Sequence, residues 1–125
     1  KEDVQKALAY GADGVQLGTR FVTTEECDVH PKFKEAYLNA KEEDMVVIKS
    51  PVGMPGRAIR TSFTDRAENG CLIPCKAEDA PYCITQSLLN AAKGDIENGL
   101  VFAGNNAYRS NKMETVEDIF RELTS

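Results

Sequence analysis

The sequence has no tryptophan, a single histidine and few basic residues. Its 15 Lys and Arg residues stand against 20 Asp and Glu residues, which gives a net charge of -5. Because nucleic acids and anionic membranes bind basic surfaces, this balance disfavours both as partners. No apolar run approaches the roughly 20 residues of a membrane-spanning helix. The N-terminus has no basic and apolar regions of a secretory signal and no initiator Met, so we expect a cytoplasmic chain cut from a longer protein.

Four cysteines are present, and without a secretion signal we expect them to be reduced thiols. Cys71, Cys75 and Cys83 form a cluster, and thiolates are ligands of zinc and of iron–sulfur clusters. The spacing differs from the C-x2-C of common zinc sites, and a fourth ligand would have to be Cys27, Asp79 or a group elsewhere. Since isolated cysteines usually behave as small buried apolar residues, we expect no metal site.

The most informative segment is the sequence GADGVQLGTRF at residues 11–21. The apolar run at residues 15–17 predicts a short strand that leads directly into Gly18, Thr19 and Arg20. Such a strand end offers uncrowded backbone N–H groups, a hydroxyl and a guanidinium, which are the groups that bind phosphate. Local chemistry leaves open whether the segment is a phosphate loop or a tight turn. It also leaves open whether Arg20 binds the phosphate or forms an ion pair within the protein.

Hydrophobic periodicity and turn residues predict alternating helices and strands. We expect a loop at residues 50–56. The next residues, 57–60, either extend this loop or form a second short strand. No clear hydrophobic period is visible at residues 64–80. Five helices are predicted. Three of them cover residues 2–10, 22–26 and 84–92, one begins at His30-Pro31, and the last begins at the N-cap Thr115. The predicted strands cover residues 15–17, 45–48 and 100–103.

Three segments, residues 11–36, 53–60 and 94–104, resemble the nitronate monooxygenase family in the family's order. The family was formerly called 2-nitropropane dioxygenases, and the flavin-dependent enoyl-acyl-carrier-protein reductases are related to it. The resemblance implies an α/β fold, the C-terminal portion of a (β/α)8 TIM barrel with an irregular α+β extension. Residues 1–48 would form the last barrel unit with the flavin phosphate loop. Residues 49–125 would form a substrate-side extension whose final helix returns to the barrel.

The same resemblance implies FMN as cofactor, with flavin contacts at Gln16, Leu17, Gly18 and Thr19. It implies an oxidoreductase that oxidises alkyl nitronates with molecular oxygen. One alternative is an NAD(P)H-dependent flavin reductase of enoyl thioesters or quinones. A second alternative, from a different class, is a non-catalytic binding or structural module, because a closed barrel needs about eight strands and this chain offers about four short ones.

The stiff loop with Met54 at its apolar tip is suited to wall a substrate pocket, and the resemblance implies that the loop with Asn105 and Asn106 approaches the flavin and the substrate. Ordinary turn geometry explains these residues as well. His30 precedes a proline at a helix start, so we expect a helix cap and not a catalytic base. The family's catalytic histidine lies before the matched segment, and we therefore predict no catalytic residue here and an inactive isolated chain. A missing N-terminal barrel portion, or self-association, is expected to cover its open side.

Overall fold

The computed structural model describes residues 1–70 and 80–125, which form a mixed α/β structure. In these residues five α-helices accompany one two-stranded sheet. The helices are α1 (Glu2–Ala9), α2 (Pro31–Asn39), α3 (Ser62–Glu68), α4 (Ile84–Ala92) and α5 (Val116–Thr124). The strands are β1 (Met45–Lys49) and β2 (Pro55–Ile59), and short 3-10 helices cover Thr19–Phe21, Glu42–Asp44 and Ala107–Arg109.

Local capping explains where two of the predicted helices begin. The His30 Nδ1 atom accepts a hydrogen bond from the Lys32 N–H at 3.2 Å, and Pro31 occupies the first position of α2. At α5 the Thr115 hydroxyl accepts from the Asp118 N–H at 3.1 Å, while the Asp118 carboxylate accepts from the Thr115 N–H. Both sequence predictions of a helix start are confirmed, and so is the role of His30 as a cap.

The β1–β2 hairpin is antiparallel, with Met45 opposite Ile59 and Lys49 opposite Pro55. The strand predicted at residues 45–48 is confirmed, and the second strand begins at Pro55, inside the segment expected to be a loop. Residues 100–103 run extended beside β2, but Phe102 forms only an isolated bridge to Ala58. The prediction of a strand there is therefore wrong in extent, because pairing beyond the bridge is absent from the described residues.

The strand predicted at residues 15–17 is also wrong for the described structure. Residues 13–17 neither donate nor accept a backbone hydrogen bond among the described residues. A strand exists only when a neighbour completes its hydrogen bonds, and the sequence pattern specifies the apolar run without specifying that neighbour.

The helix predicted over residues 22–26 is replaced by a short 3-10 helix that ends at Phe21. Thr24 instead forms a bridge to Glu114, and the Glu25 N–H donates to the Glu114 carbonyl at 3.0 Å. These long-range hydrogen bonds outcompete the weak local preference for a helix.

Helix α3 was not predicted, because residues 64–80 show no clear period. Its start carries a local signal, since the Thr61 hydroxyl accepts from the Thr64 N–H at 3.3 Å and the Thr61 N–H donates to the Thr64 hydroxyl at 2.9 Å. This reciprocal cap fixes the first turn of α3, and the buried Phe63 then anchors the helix on the sheet side of the core.

The hydrophobic core lies between the hairpin, α2, α3, α4 and the extended residues 100–103. It consists of two clusters of buried residues: Tyr37, Ala40, Ile59, Ala91, Val101 and Ala107 in the first, and Ile48, Ala58, Phe63, Tyr82 and Leu100 in the second. No residue among residues 1–22 is buried, and Tyr10 is 92% exposed. Residues 1–22 thus add no fully buried side chain, although the partly buried Val22 packs against the first cluster.

Helix α5 returns to the first part of the chain, where its N-terminal Val116 N–H donates to the Glu26 carboxylate at 3.0 Å. The Phe120 ring lies 5.8 Å from the Phe21 ring, centroid to centroid. The division of the chain at residues 48 and 49 stays a prediction.

Tyr37 provides a test of the core. Its hydroxyl donates to the Phe102 carbonyl at 2.6 Å, its side chain is 2% exposed, and burial together with the nearby Cys27 raises the pKa of its phenol to about 12. Tyr37→Phe removes this donor, and we expect the free energy of unfolding to fall by about 1–3 kcal/mol in urea denaturation. Tyr10→Phe is the matched control and should change stability by less than about 0.5 kcal/mol. Equal stability of Tyr37→Phe and the parent chain would contradict the prediction.

Candidate functional site

A cavity of about 770 Å³ lies where the first turn of α1, residues 16–20, the turn after Phe102 and the end of α5 meet. Its volume falls within the range of small-molecule sites. Six of the seven predicted site residues line it, although they come from two parts of the chain far apart in sequence: Gln16, Leu17, Gly18, Thr19, Asn105 and Asn106. The structure therefore brings the predicted cofactor loop and the predicted asparagine pair to one surface.

The backbone amides of Gly18 and Thr19 are available to a ligand. Among the described residues neither N–H donates a hydrogen bond, while the Gly18 carbonyl accepts from the Phe21 N–H at 3.0 Å. A Cβ atom added at Gly18 would meet no atom within 4 Å, so the glycine opens onto free space beside the cavity. Free amides next to an uncrowded glycine are suited to bind the oxygens of an anion.

The first turn of α1 faces the same cavity, since residues 1–4 line it and no side chain caps the helix at Lys1. The unpaired N–H groups of a first helical turn carry a partial positive charge that favours an anion. This turn also carries two acidic side chains: Asp3 pairs with Arg109, whose guanidinium lies 3.2 Å from its carboxylate, whereas Glu2 has no ion pair with the described residues. Sequence reasoning did not single out α1 or Arg109, because only the tertiary fold brings them to the loop.

Arg20 forms ion pairs within the protein, as one of its two interpretations expects, and it also lines the cavity. Its guanidinium pairs with the buried carboxylate of Glu114 and lies 3.2 Å from the carboxylate of Glu122. Lys112 also pairs with Glu114 at 3.1 Å. Burial raises the pKa of Glu114, but hydrogen bonds and the positive charges of Arg20 and Lys112 outweigh it, so the pKa lies below its ordinary value.

The Thr19 hydroxyl joins the two halves of the site. It accepts a hydrogen bond from the Gly104 N–H at 2.9 Å, directly before the asparagine pair. Asn105 and Asn106 are exposed, and their side-chain amides make no hydrogen bond with the described residues. The carboxamides are therefore free to donate to, or accept from, a molecule in the cavity.

Two groups of predicted residues lie elsewhere. Met54 stands in the hairpin loop with 68% of its surface exposed, and it does not line this cavity. Cys27 and Cys83 are free thiols, whereas Cys71 and Cys75 lie outside the described residues. Within residues 1–70 and 80–125 no group of three or more His, Cys, Asp or Glu side chains is placed to hold a metal ion.

The described residues form a mixed α/β fold, and its cavity brings together the free backbone amides of Gly18 and Thr19 and the carboxamides of Asn105 and Asn106. The model of the nitronate monooxygenase family matches residues 1–125, and the chain therefore belongs to that family. In the described part of the chain, no helix has both the length and the apolar character needed to cross a membrane.

Individual relatives agree with this family. A probable nitronate monooxygenase of Staphylococcus saprophyticus is 32% identical over 92 residues, which are 74% of this chain and 24% of that protein. The (3aS,4S,5R,7aS)-5-hydroxy-7a-methyl-1-oxo-octahydro-1H-indene-4-carboxyl-CoA dehydrogenase of Mycobacterium tuberculosis is 42% identical over 64 residues, 51% of this chain and 18% of the relative. The structure of FabK from Thermotoga maritima matches with a TM-score of 0.80 and 34% identity, covering 94% of this chain and 38% of FabK. The chain thus spans well under half the length of these relatives.

Proposed function

We propose that this chain is the C-terminal part of an FMN-dependent oxidoreductase that oxidises alkyl nitronates with molecular oxygen. The observation that carries the proposal is the pair of amides at Gly18 and Thr19, which have no acceptor among the described residues and open onto a cavity of about 770 Å³. Membership in the nitronate monooxygenase family supports the chemistry.

In this proposal the cavity residues hold the phosphate of FMN, which carries about two negative charges at neutral pH. The amides of Gly18 and Thr19 donate to its oxygens, and the first turn of α1 adds its partial positive charge. Of the cations that line the cavity, Arg20 and Arg109 already pair with carboxylates, whereas Lys1 has no ion pair with the described residues, so the attraction comes from the backbone amides together with Lys1. Bound FMN would supply the electron-transfer chemistry, and the protein would supply binding and orientation.

The asparagine pair suits the substrate side of the same cavity. The free carboxamides of Asn105 and Asn106 can donate hydrogen bonds to the anionic oxygens of a nitronate and would orient it without adding charge. Met54 lies outside this cavity, and it stays a proposed substrate residue because its stiff, apolar-tipped loop is suited to wall a substrate pocket.

A second candidate function within the flavoenzymes is the reduction of enoyl thioesters or quinones with NAD(P)H. This candidate is favoured by the similarity to FabK and to a dehydrogenase that is named for a carboxyl-CoA compound. The same carboxamides can bind a thioester carbonyl, so the described residues suit both reactions. A non-catalytic module is the third candidate, favoured by the absence of buried residues among residues 1–22.

The open side of residues 1–18 leads us to propose a partner as well. Residues 13–17 lack backbone hydrogen bonds among the described residues, and Leu8, Val15 and Leu17 are 47%, 44% and 39% exposed. We propose that an N-terminal portion of a longer TIM-barrel protein covers this side and contributes the catalytic base. The FabK match covers only 38% of FabK, which leaves room for such a portion.

The test is an FMN titration followed by a turnover assay, on the chain alone and on the longer protein. We expect the purified longer protein to be yellow and to consume alkyl nitronate and oxygen, and the chain alone to show no turnover. NAD(P)H oxidation with an enoyl thioester, in place of nitronate consumption, would favour the second candidate. Absence of flavin binding in the longer protein would refute both flavoenzyme candidates, and turnover by the chain alone would refute the proposed division of the site.

A further inference from the structure

A side-chain hydrogen bond connects the proposed cofactor loop to the turn that carries the asparagine pair. The Gly104 N–H donates to the Thr19 hydroxyl oxygen at 2.9 Å, across 85 positions of sequence. A Cβ atom at Gly104 would lie 2.9 Å from the same oxygen, so the absence of a side chain permits this approach. The contact therefore depends on both loops: one provides the acceptor hydroxyl, and the other provides a glycine that leaves room for it.

Gly104 is also the point where the asparagine turn is fixed. Its carbonyl accepts from the Ala107 N–H at 3.0 Å, and the preceding Ala103 N–H donates to the Arg57 carbonyl at 3.1 Å. Asn105 and Asn106 follow directly and make no side-chain hydrogen bond to the described residues. The turn is thus held by backbone hydrogen bonds at Gly104 and at the Asn106 carbonyl, which accepts from the Arg109 N–H at 3.0 Å, and only the bond that the Gly104 N–H donates to Thr19 reaches the other side of the cavity.

We propose that Thr19 is a positioning residue, whose hydroxyl holds the turn at residues 104–107 in place beside the cofactor loop. A hydroxyl accepts through its lone pairs while its own proton remains free to donate. No described group accepts that proton. Thr19 therefore accepts from Gly104 and keeps a donor for a ligand in the cavity.

A consequence follows that rests on the proposed function. If a phosphate accepts the Thr19 proton, the hydroxyl becomes a stronger acceptor for the Gly104 N–H, because hydrogen bonds in series polarise one another. Binding at the cofactor loop then orders the asparagine turn, and by linkage an ordered turn strengthens binding at the loop.

The experiment measures amide hydrogen exchange at Gly104 by NMR in the protein that carries this chain, first without flavin. In Thr19→Val we expect Gly104 to exchange about fivefold faster or more, the loss expected for one net hydrogen bond. Thr19→Ser keeps the acceptor and should restore protection. Thr85→Val, at an exposed position of α4, is the matched control and should leave Gly104 unchanged.

The Ile59 N–H, which donates to the core carbonyl of Val101 at 2.9 Å, reports on general destabilisation and should exchange equally in all variants. Unchanged Gly104 exchange in Thr19→Val overturns the proposal, as does equal acceleration at Ile59 and Gly104. FMN is then added to the parent protein, where we expect it to slow exchange at Gly104.

Different results would refute the positioning role of Thr19 and the assignment of FMN to this cavity. Faster Gly104 exchange in Thr19→Val, combined with no FMN binding by the parent protein, supports the positioning role and refutes the cofactor assignment. FMN binding that leaves Gly104 exchange unchanged refutes the coupling between the loops. FMN binding that slows Gly104 exchange in the parent and in Thr19→Ser, but not in Thr19→Val, supports both.

Discussion

Gly18→Val is expected to weaken FMN binding at least about tenfold, a loss of about 1.4 kcal/mol, while the fold stays intact. The backbone at Gly18 has a φ of -118°, which residues with side chains adopt, and no atom lies within 4 Å of the added Cβ position. The new side chain therefore costs the fold little and enters the space beside the free amides. It would hold a phosphate away from the backbone, which is the contact on which the cofactor assignment depends.

The measurement is an FMN titration by fluorescence, paired with thermal unfolding of the same samples. Gly14→Val is the matched control, because Gly14 also has open space at its Cβ position and does not line the cavity. Both variants should change the stability by less than about 0.5 kcal/mol, and only Gly18→Val should lose affinity. Equal affinity of Gly18→Val and the parent protein would remove the cofactor loop from the flavin site.

Features encoded by neighbouring residues could be predicted from the sequence. The caps at His30 and Thr115 require only the residues within the first turn, and both predictions agree with the structure. Residues 45–48 were assigned to a strand from a short apolar run, and the hairpin partner of that strand follows within six residues. Such elements have their stabilising partners nearby, so a local pattern contains the information that fixes them.

Features that depend on distant partners could not be predicted. The apolar run at residues 15–17 has the composition of a strand, but no strand forms among the described residues because no neighbour completes it. Thr24 forms a bridge to Glu114 and therefore does not join the predicted helix. Because Glu114 is 90 residues away in sequence, no local pattern could indicate this bridge. The two candidate roles of Arg20 are equally compatible with the sequence, and its ion pair depends on Glu114, whose position no local pattern specifies.

The candidate site divides in the same way. Gln16 through Thr19 and the asparagine pair were identified through motifs that resemble a family, and the cavity contains all of them. Their physical connection, the hydrogen bond between Thr19 and Gly104, has no signature in either motif alone. A glycine before two asparagines indicates a turn, and only the position of the opposite loop shows that a Cβ atom here would crowd the Thr19 hydroxyl.

The ion pairs of Glu114 lead to the second prediction with a large effect. Its side chain is only 8% exposed and pairs with Arg20 and Lys112, while its backbone N–H donates to the Thr23 carbonyl at 3.2 Å. Glu114→Gln keeps the shape but removes the charge that both cations face. We expect the free energy of unfolding at pH 7 to fall by about 1.5–3 kcal/mol, the range for hydrogen bonds to charged groups. Because Arg20 belongs to the 3-10 helix that begins at Thr19, FMN binding should weaken as well.

The pH dependence separates this ion pairing from a general loss of packing. The pKa of Glu114 is lower in the folded protein than its ordinary value of 4.5, so its charge stabilises the fold above that pH. The stabilisation is lost as the pH falls below 4.5 and through the folded pKa, where the carboxylate becomes protonated. The stability difference between the parent and Glu114→Gln, measured by urea denaturation, should therefore be full at neutral pH and shrink towards acid. Glu117→Gln, whose partner Arg121 lies on the same exposed helix face, is the control and should cost no more than about 0.5 kcal/mol. A difference that stays constant from neutral to acid pH would show that Glu114 acts through packing and not through its charge.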